Sequence, residues 1–201
     1  MHFQAGESHL QLEKIDEAQG HFTKAAGIGG SPQSLVESIT MRLAETQALT
    51  GQHVEAALSY QTFLEEFPES RWTRNAQFGF AFATEQSGDP AGALEEYAKI
   101  LEEPKTDLWT VRSRFQTGTC QAALNKRDQA VIEFVKVEIS YPQYPQWQAQ
   151  AVLEIGEILL DQGKPEQAKE RFGVVLSRFA EEDAAIKAKQ LLKSFEAPEA
   201  N

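Results

Sequence analysis

The four histidines are the first side chains to test for metal chemistry, because neutral imidazole is the commonest metal ligand in proteins. They stand at positions 2, 9, 21 and 53, and none forms a His-Glu-x-x-His motif or another compact ligand spacing. His2 and His9 are seven residues apart, so two turns of a helix could align them on one face. His2 stands at a chain start, where helices fray. The sequence therefore predicts no metal site and no cofactor.

Nucleophilic and acid–base chemistry also lacks a suitable arrangement. Cys120 follows the small Gly118 by two residues and has no histidine nearby to activate it, which is typical of a packed thiol. Acidic runs such as Glu65-Glu66 and Glu181-Glu182-Asp183 stand near predicted helix ends, on faces expected to be solvated. A general acid–base pair needs two carboxylates held apart in a desolvated cleft. The sequence therefore predicts that the chain is not an enzyme.

Aromatic side chains at helical spacing offer recognition chemistry instead. Phe78 and Phe82 are four residues apart and share a helix face, and Arg112 precedes Phe115 by three residues. Aromatic rings beside an arginine are enriched at binding hot spots. Long apolar side chains at helical spacing are equally typical of an ordinary core. Both interpretations stay open, and the choice depends on the elements that position the rings.

Composition limits the class of partner. The chain has 201 residues, 41% of them apolar, which is ordinary for a folded soluble protein. Its net charge of -11 repels a nucleic acid backbone or an anionic membrane surface, so neither is an expected partner. A single cysteine excludes an intrachain disulfide. The start, Met1-His2-Phe3-Gln4, lacks the pattern of a secretory signal, and no apolar run is long enough to insert into a membrane.

An internal repeat organises the whole chain. The motif Ala-x-x-x-Phe/Tyr occurs five times, and its alanines are 38, 37, 37 and 38 residues apart. A fixed period of this length is typical of stacked structural repeats. The five motifs are Ala18 with Phe22, Ala56 with Tyr60, Ala93 with Tyr97, Ala130 with Phe134, and Ala168 with Phe172.

Two further positions keep the same phase and predict a helical hairpin in each repeat. Small residues allow two helices to cross closely, and residues that tolerate a left-handed backbone allow a tight turn between them. The small residues, twelve before each alanine, are Gly6, Ala44, Ala81, Gly118 and Gly156. The turn positions, five before each alanine, are Glu13, Gly51, Gly88, Asn125 and Gly163, and all but Glu13 suit the turn.

These signals predict an all-α protein with repeats at about 1–31, 32–69, 70–106, 107–144 and 145–180. First helices are predicted at 33–49, 72–86, 108–123 and 147–160, and second helices at 54–67, 91–101, 129–139 and 165–179. Apolar residues at helical spacing predict a capping helix at 181–196, followed by a disordered tail at 197–201. Because only five residues precede Gly6, the natural chain is expected to continue upstream.

The small residue, the Ala-x-x-x-Phe/Tyr motif and the prolines Pro68 and Pro142 at repeat ends make the sequence resemble the tetratricopeptide repeat family over residues 3 to 179. The resemblance implies a right-handed superhelical solenoid of about five hairpins. The early tryptophan of the family is absent, and the period exceeds the usual 34 residues. Junctions between repeats such as Phe-Pro-Glu-Ser at 67–70 look like those of the bacterial cell-envelope subgroup. That subgroup includes the outer-membrane assembly lipoprotein and the Tol-associated coordinator protein. Residues at the family's early tryptophan position are His2, Thr40, Gln77, Arg114 and Val152.

The proline- and aromatic-rich stretch at 138–147, EISYPQYPQW, also fits the repeat. Trp147 stands 21 residues before its motif alanine, in the same phase as Trp72 and Trp109. The stretch is therefore predicted to be a lengthened junction whose rings pack between repeats. Tyr144 has no counterpart in the other repeats, so an exposed contact with a partner is the alternative for this side chain.

The resemblance further implies a concave groove lined by the first helices. Family members that capture a C-terminal carboxylate carry Lys, Asn and Arg at set groove positions. This sequence has none of these residue types at those positions, so a peptide with an acidic end is not an expected ligand. An apolar or amphipathic partner segment with some positive charge is expected instead. The candidate partner-binding residues are Met41, Glu45, Phe78, Phe82, Arg112, Phe115, Thr119, Leu153 and Glu157.

Three functions from different classes follow. The favoured one is a protein–protein interaction module that binds a peptide or partner helix. The alternative is a rigid spacer or assembly segment of a longer envelope protein, and an enzyme is the least favoured. The subgroup resemblance implies the bacterial periplasm or cell envelope, with the cytoplasm as the alternative.

Overall fold

The computed structural model describes residues 1–196, which form eleven α-helices and no strand. The expected tail at 197–201 lies outside the described residues. The helices are α1 His2–Gln11, α2 Ile15–Ala26, α3 Gln33–Leu49, α4 His53–Glu66, α5 Thr73–Gln86, α6 Pro90–Glu102, α7 Leu108–Ala123, α8 Arg127–Ser140, α9 Pro145–Asp161, α10 Pro165–Arg178 and α11 Asp183–Glu196.

The helix bounds agree closely with those read from the sequence. Helices α3 and α7 begin and end at the predicted residues. Helix α9 begins earlier than predicted, at Pro145, because proline is tolerated in the first turn of a helix. Trp72 is the N-cap residue of α5 and not its first helical residue.

The chain divides into two compact units, unit 1 (Met1–Ile100) and unit 2 (Leu101–Asn201), with the boundary inside α6. In unit 1, α1 packs on α2, α3 on α4, and α4 on α5. In unit 2, α7 packs on α8, α9 on α10, and α11 on both α9 and α10. Within the described residues, no helix is both long and apolar enough to cross a bilayer.

The turn inside each hairpin has the predicted left-handed backbone. The φ angle is 77° at Gly51, 95° at Gly88 and 70° at Gly163, and it is 58° at both Glu13 and Asn125. Glycine adopts this conformation freely and asparagine adopts it readily, whereas other residues lose roughly 1–2 kcal/mol. Glu13 is therefore strained where the other four turns are not.

In the first, fourth and last hairpins the motif aromatic packs directly on the small residue of the first helix, which is a glycine. A Cβ added to Gly6 would lie 2.6 Å from the Phe22 ring, and one added to Gly118 would lie 2.7 Å from the Phe134 ring. All five motif alanines are fully buried. In these three hairpins the sequence motif therefore corresponds to a close contact between the two helices.

The stretch at 138–147 packs as a junction. Tyr141 is buried in the core cluster of α7, α8 and α9, and Tyr144 and Trp147 lie half-buried against the same cluster. The Tyr141 hydroxyl accepts a hydrogen bond from Arg114 Nε at 3.1 Å. Tyr144 is also the N-cap residue of α9. The rings of this stretch therefore have a packing role in unit 2.

Helix α11 covers the last hairpin. Its Ala184, Ala185 and Ala188 are buried in a core cluster with Phe172 and Phe179. The Phe195 ring lies 6.5 Å from the Phe172 ring, centroid to centroid. Small side chains on α11 let it approach α9 and α10 closely, which brings its N-terminus beside α9.

Candidate functional site

Four of the predicted groove residues are core residues. Met41, Phe78, Phe115 and Leu153 are 2%, 3%, 8% and 1% exposed, so the structure corrects their assignment as an open partner-binding surface. Each stands three residues before the small residue of its first helix, a position that faces the second helix of the hairpin. Burial there follows from the close helix crossing.

The rings of unit 1 show this packing. Phe78 lies 5.8 Å from the motif ring of Tyr97 and 5.9 Å from Phe82, centroid to centroid. Phe82, one turn further along α5, is half-buried and stacks on Phe78 with an interplanar angle of 13°. Phe82 therefore keeps part of its surface toward solvent, and Phe78 does not.

Glu45 belongs to a polar network that links three first helices of unit 1. Arg42 on α3 donates to Glu7 on α1 at 2.8 Å and to Glu45 at 2.7 Å. Asn75 on α5 donates to Glu45 at 3.1 Å. Burial alone would lower the pKa of Arg42, but hydrogen bonds and charge from Glu45 and Glu7 outweigh it and raise that pKa. The network thus links α1, α3 and α5.

A cavity of about 410 Å³ lies in unit 2, between α7, α9 and the start of α11. We call it the unit 2 pocket. Its apolar wall is formed by Phe115 and Trp147, whose ring centroids are 5.2 Å apart at an interplanar angle of 58°. The other lining residues are Gln116, Gln146, Gln150, Glu182, Asp183 and Ala184.

The rim of the unit 2 pocket is acidic. Glu182 and Asp183 contribute two carboxylates where α11 begins. The helix macrodipole adds only about half a positive charge at such an N-terminus, so the local charge stays negative. The three glutamines add amide donors and acceptors. An aromatic wall beside carboxylates can take an apolar side chain together with a cationic one.

The remaining predicted site residues of unit 2 stand outside this lining. The Arg112 guanidinium lies over the Trp109 ring, 5.3 Å from its centroid, one turn back along α7. Thr119 donates a long hydrogen bond of 3.4 Å to the Phe115 carbonyl. Glu157 pairs with Lys187 of α11 at 2.5 Å. Of the nine predicted residues, Phe115 is the one that lines the unit 2 pocket.

Glu154 lies one turn along α9 from Gln150, which lines the unit 2 pocket, and its surroundings shift its pKa. Gln150 Nε2 donates to Glu154 at 2.9 Å. Burial raises the pKa of Glu154 above its ordinary value of 4.5, and the charge of Glu157 adds to the rise, while the Gln150 hydrogen bond and Lys187 oppose it. The hydrogen bond with Glu157 is the main cause that raises the pKa of Lys187. Glu157 therefore has a cationic partner in Lys187, whereas Glu154 accepts its hydrogen bond from an uncharged amide.

Replacing Glu154 with Gln is expected to raise the melting temperature at pH 7. A folded-state pKa above 4.5 means that the ionised side chain destabilises the fold, so its contribution to stability is greatest below pH 4.5 and is lost as the pH rises through the raised pKa. The advantage of Glu154→Gln should therefore vanish at pH 4. Thermal unfolding of both proteins at pH 7 and pH 4 measures this difference in melting temperature.

Glu157→Gln is the matched control, because it removes the ion pair with Lys187 and should lower the melting temperature at pH 7. A Glu154→Gln protein less stable than the wild type at pH 7 would contradict the assigned burial cost.

Comparison with known proteins supports the repeat. The family model for the tetratricopeptide repeat matches residues 41–70 and 150–181. No curated protein matches the chain. The two matched segments fall in the second and the last hairpin.

Solved structures extend the likeness to nearly the whole chain. YrrB, described as a TPR protein with an unusual peptide-binding site, is 18% identical with a TM-score of 0.63, over 94% of this chain and 90% of that one. TTC0263, a thermophilic TPR protein of Thermus thermophilus, is 16% identical with a TM-score of 0.63, over 96% of this chain and 97% of that one.

The Rap conjugation gene regulator of plasmid pLS20, in complex with the Phr* peptide, is 14% identical with a TM-score of 0.71, over 99% of this chain and 59% of that one. The fold is therefore that of tetratricopeptide-repeat proteins, the class of helical-hairpin solenoids.

Sequence reasoning missed most of the unit 2 pocket. Gln150 stands six residues before the small Gly156, a repeat phase that could have been searched for polar side chains. Glu182 and Asp183 belong to the non-repeating start of α11, so no repeat phase points to them.

Proposed function

We propose that this chain is a protein-interaction module and that the unit 2 pocket binds a peptide segment or partner helix. The observation that carries the proposal is the pairing of an aromatic wall, Phe115 and Trp147, with the acidic rim of Glu182 and Asp183. The module acts by binding and not by catalysis. Peptide binding in YrrB and in the Rap regulator is a property of those proteins that makes such a role reasonable for this fold.

The partner segment we propose carries an apolar or aromatic side chain followed closely by lysine or arginine. The apolar side chain would contact the half-buried Trp147 and the small part of the buried Phe115 ring that lines the pocket. The cation would lie against Glu182 and Asp183, and glutamine amides would bond to the peptide backbone. A peptide with an acidic end would meet like charge at this rim.

Selection from a random peptide library, followed by calorimetry of the enriched peptides, tests this proposal. We expect enrichment of apolar–basic sequences, and we expect Trp147→Ala to weaken their binding about 30-fold or more, the scale of an aromatic hot spot. Trp72→Ala is the matched control, since Trp72 has the same repeat phase in unit 1 and should leave the affinity unchanged.

The tryptophans also give a direct optical test. The chain has three, so replacing Trp72 and Trp109 with Phe leaves Trp147 as the single reporter. Binding of an enriched peptide should shift its emission to shorter wavelength. A library without enrichment, or enriched peptides that leave Trp147 emission unchanged, would contradict the pocket and favour the rigid spacer.

The cell-envelope subgroup and periplasmic location stay a prediction. Their support is the Phe67-Pro68-Glu69-Ser70 and Tyr141-Pro142 junctions, which resemble that subgroup.

A further inference from the structure

Three of the four histidines come together on one side of the first hairpin. His2 and His9 of α1 both lie against His21 of α2, with ring centroids 5.6 and 5.1 Å away. His9 stacks nearly parallel on His21, at an interplanar angle of 20°. The Nδ1 atoms of His2 and His21 are 3.3 Å apart.

The helical hairpin explains this arrangement. His2 and His9 are seven residues apart, so they share the face of α1 that meets α2. His21 precedes the motif ring Phe22, which packs on Gly6 between the two α1 histidines. Close approach of the helices at Gly6 therefore brings His21 within reach of both rings.

The separation of the two Nδ1 atoms suits a shared metal ion as well as a shared proton. In a tetrahedral site with metal–nitrogen bonds of about 2.0–2.1 Å, two ligand nitrogens are about 3.3 Å apart. Imidazole is a borderline ligand that suits Zn²⁺, Cu²⁺ and Ni²⁺. No group of three or more His, Cys, Asp or Glu side chains in the described part of the chain is placed to hold a metal ion. A site here would therefore have two protein ligands, with water completing it.

We propose that His2 and His21 bind a borderline divalent metal ion of the Zn²⁺ class through their Nδ1 atoms. His9 acts as a positioning residue that holds the His21 ring by stacking. The ion would cross-link α1 to α2 and stabilise the first hairpin by binding the folded state. Two protein ligands make the site weak and exchangeable.

The surroundings of His21 bear on this chemistry. Burial, followed by the neighbouring His9, His2 and Lys24, lowers the pKa of His21, the direction that favours the neutral imidazole a metal ion requires. The positive charge of Lys24 opposes a bound cation and sets a limit on the affinity.

Calorimetric titration of the tag-free protein with Zn²⁺ at pH 7.5 tests the site. We expect one ion per chain, with a dissociation constant on the order of tens to hundreds of micromolar, and a melting temperature higher by about 3 °C at 1 mM Zn²⁺. His21→Phe and His2→Phe should each weaken binding at least tenfold. His53→Phe, a change at the start of α4, is the control and should bind as the wild type does.

Histidine NMR of the wild-type protein gives a second measurement that needs no variant. Zn²⁺ should shift the Nδ1 resonances of His2 and His21 and leave that of His53 in place. Absence of binding at 1 mM Zn²⁺, binding that His21→Phe leaves intact, or a shift confined to Nε2 atoms would overturn the proposal.

Discussion

Replacing Phe78 with Ala is expected to lower the free energy of unfolding by about 3–5 kcal/mol, the range found for buried phenylalanines. The side chain is 3% exposed and contacts the rings of Phe82 and Tyr97. Its removal loses apolar burial and leaves a cavity between α5 and α6 that rigid helices fill incompletely. Urea unfolding followed by circular dichroism measures the change.

Phe82→Ala is the matched control for this experiment, because it deletes the same ring from the same helix one turn away. Phe82 is half-buried, so the expected loss is about 1–2 kcal/mol. Equal losses for the two variants would show that Phe82 is as much a core residue as Phe78. A negligible loss for Phe78→Ala would contradict the packing of α5 on α6.

The fold was predictable because its determinants are local and recur five times. The turn positions are an example: Gly51, Gly88 and Gly163 signal a left-handed backbone by residue type alone, and the repeat phase extends the same turn to Asn125 and Glu13. Glu13 would have been rejected as a turn residue by propensity. The repeat phase predicts the turn at Glu13 in spite of that preference, because the packing of the two helices fixes the backbone between them.

The site was less predictable, because repeat phase identifies equivalent positions without saying which way they face. Met41, Phe78, Phe115 and Leu153 do share one phase, but that phase points between helices instead of into a groove. An aromatic side chain at helical spacing can face a groove or the core between helices. The two directions differ by about 100° around the helix axis, the rotation from one residue to the next. A helix packed on two sides carries apolar residues on both, so sequence periodicity does not show which of these residues face the core.

Features built from residues that do not recur in the repeat could not be found by the same reasoning. The acidic rim of the unit 2 pocket comes from Glu182 and Asp183, where α11 replaces a further repeat. The histidine cluster needed His21, which lies on a different helix from His2 and His9. Spacing along one helix could not show that a partner stands across the hairpin.

Gly156→Ala is expected to lower the free energy of unfolding by about 1–3 kcal/mol, the usual effect of overpacking a core. A Cβ at this position would lie 2.4 Å from the Phe172 ring, and that ring is fully buried, so it has no open space to enter. Ala44 and Ala81 fill the equivalent position in other repeats. Their hairpins carry Tyr60 and Tyr97 as motif rings, whereas Gly6, Gly118 and Gly156 all face a phenylalanine.

Gly173→Ala separates this clash from the intrinsic preference of helices for alanine. Gly173 lies inside α10, one residue after Phe172, and an added Cβ would meet nothing within 4 Å. Alanine there should stabilise the protein by roughly 0.5–1 kcal/mol. Both variants gain the same helix preference, so the difference between their unfolding free energies, about 1.5–4 kcal/mol by adding the two effects, measures the contact with Phe172. If Gly156→Ala stabilised the protein as much as Gly173→Ala, the Phe172 ring would have to move aside, and close helix crossing could not be the reason for a small residue in this repeat.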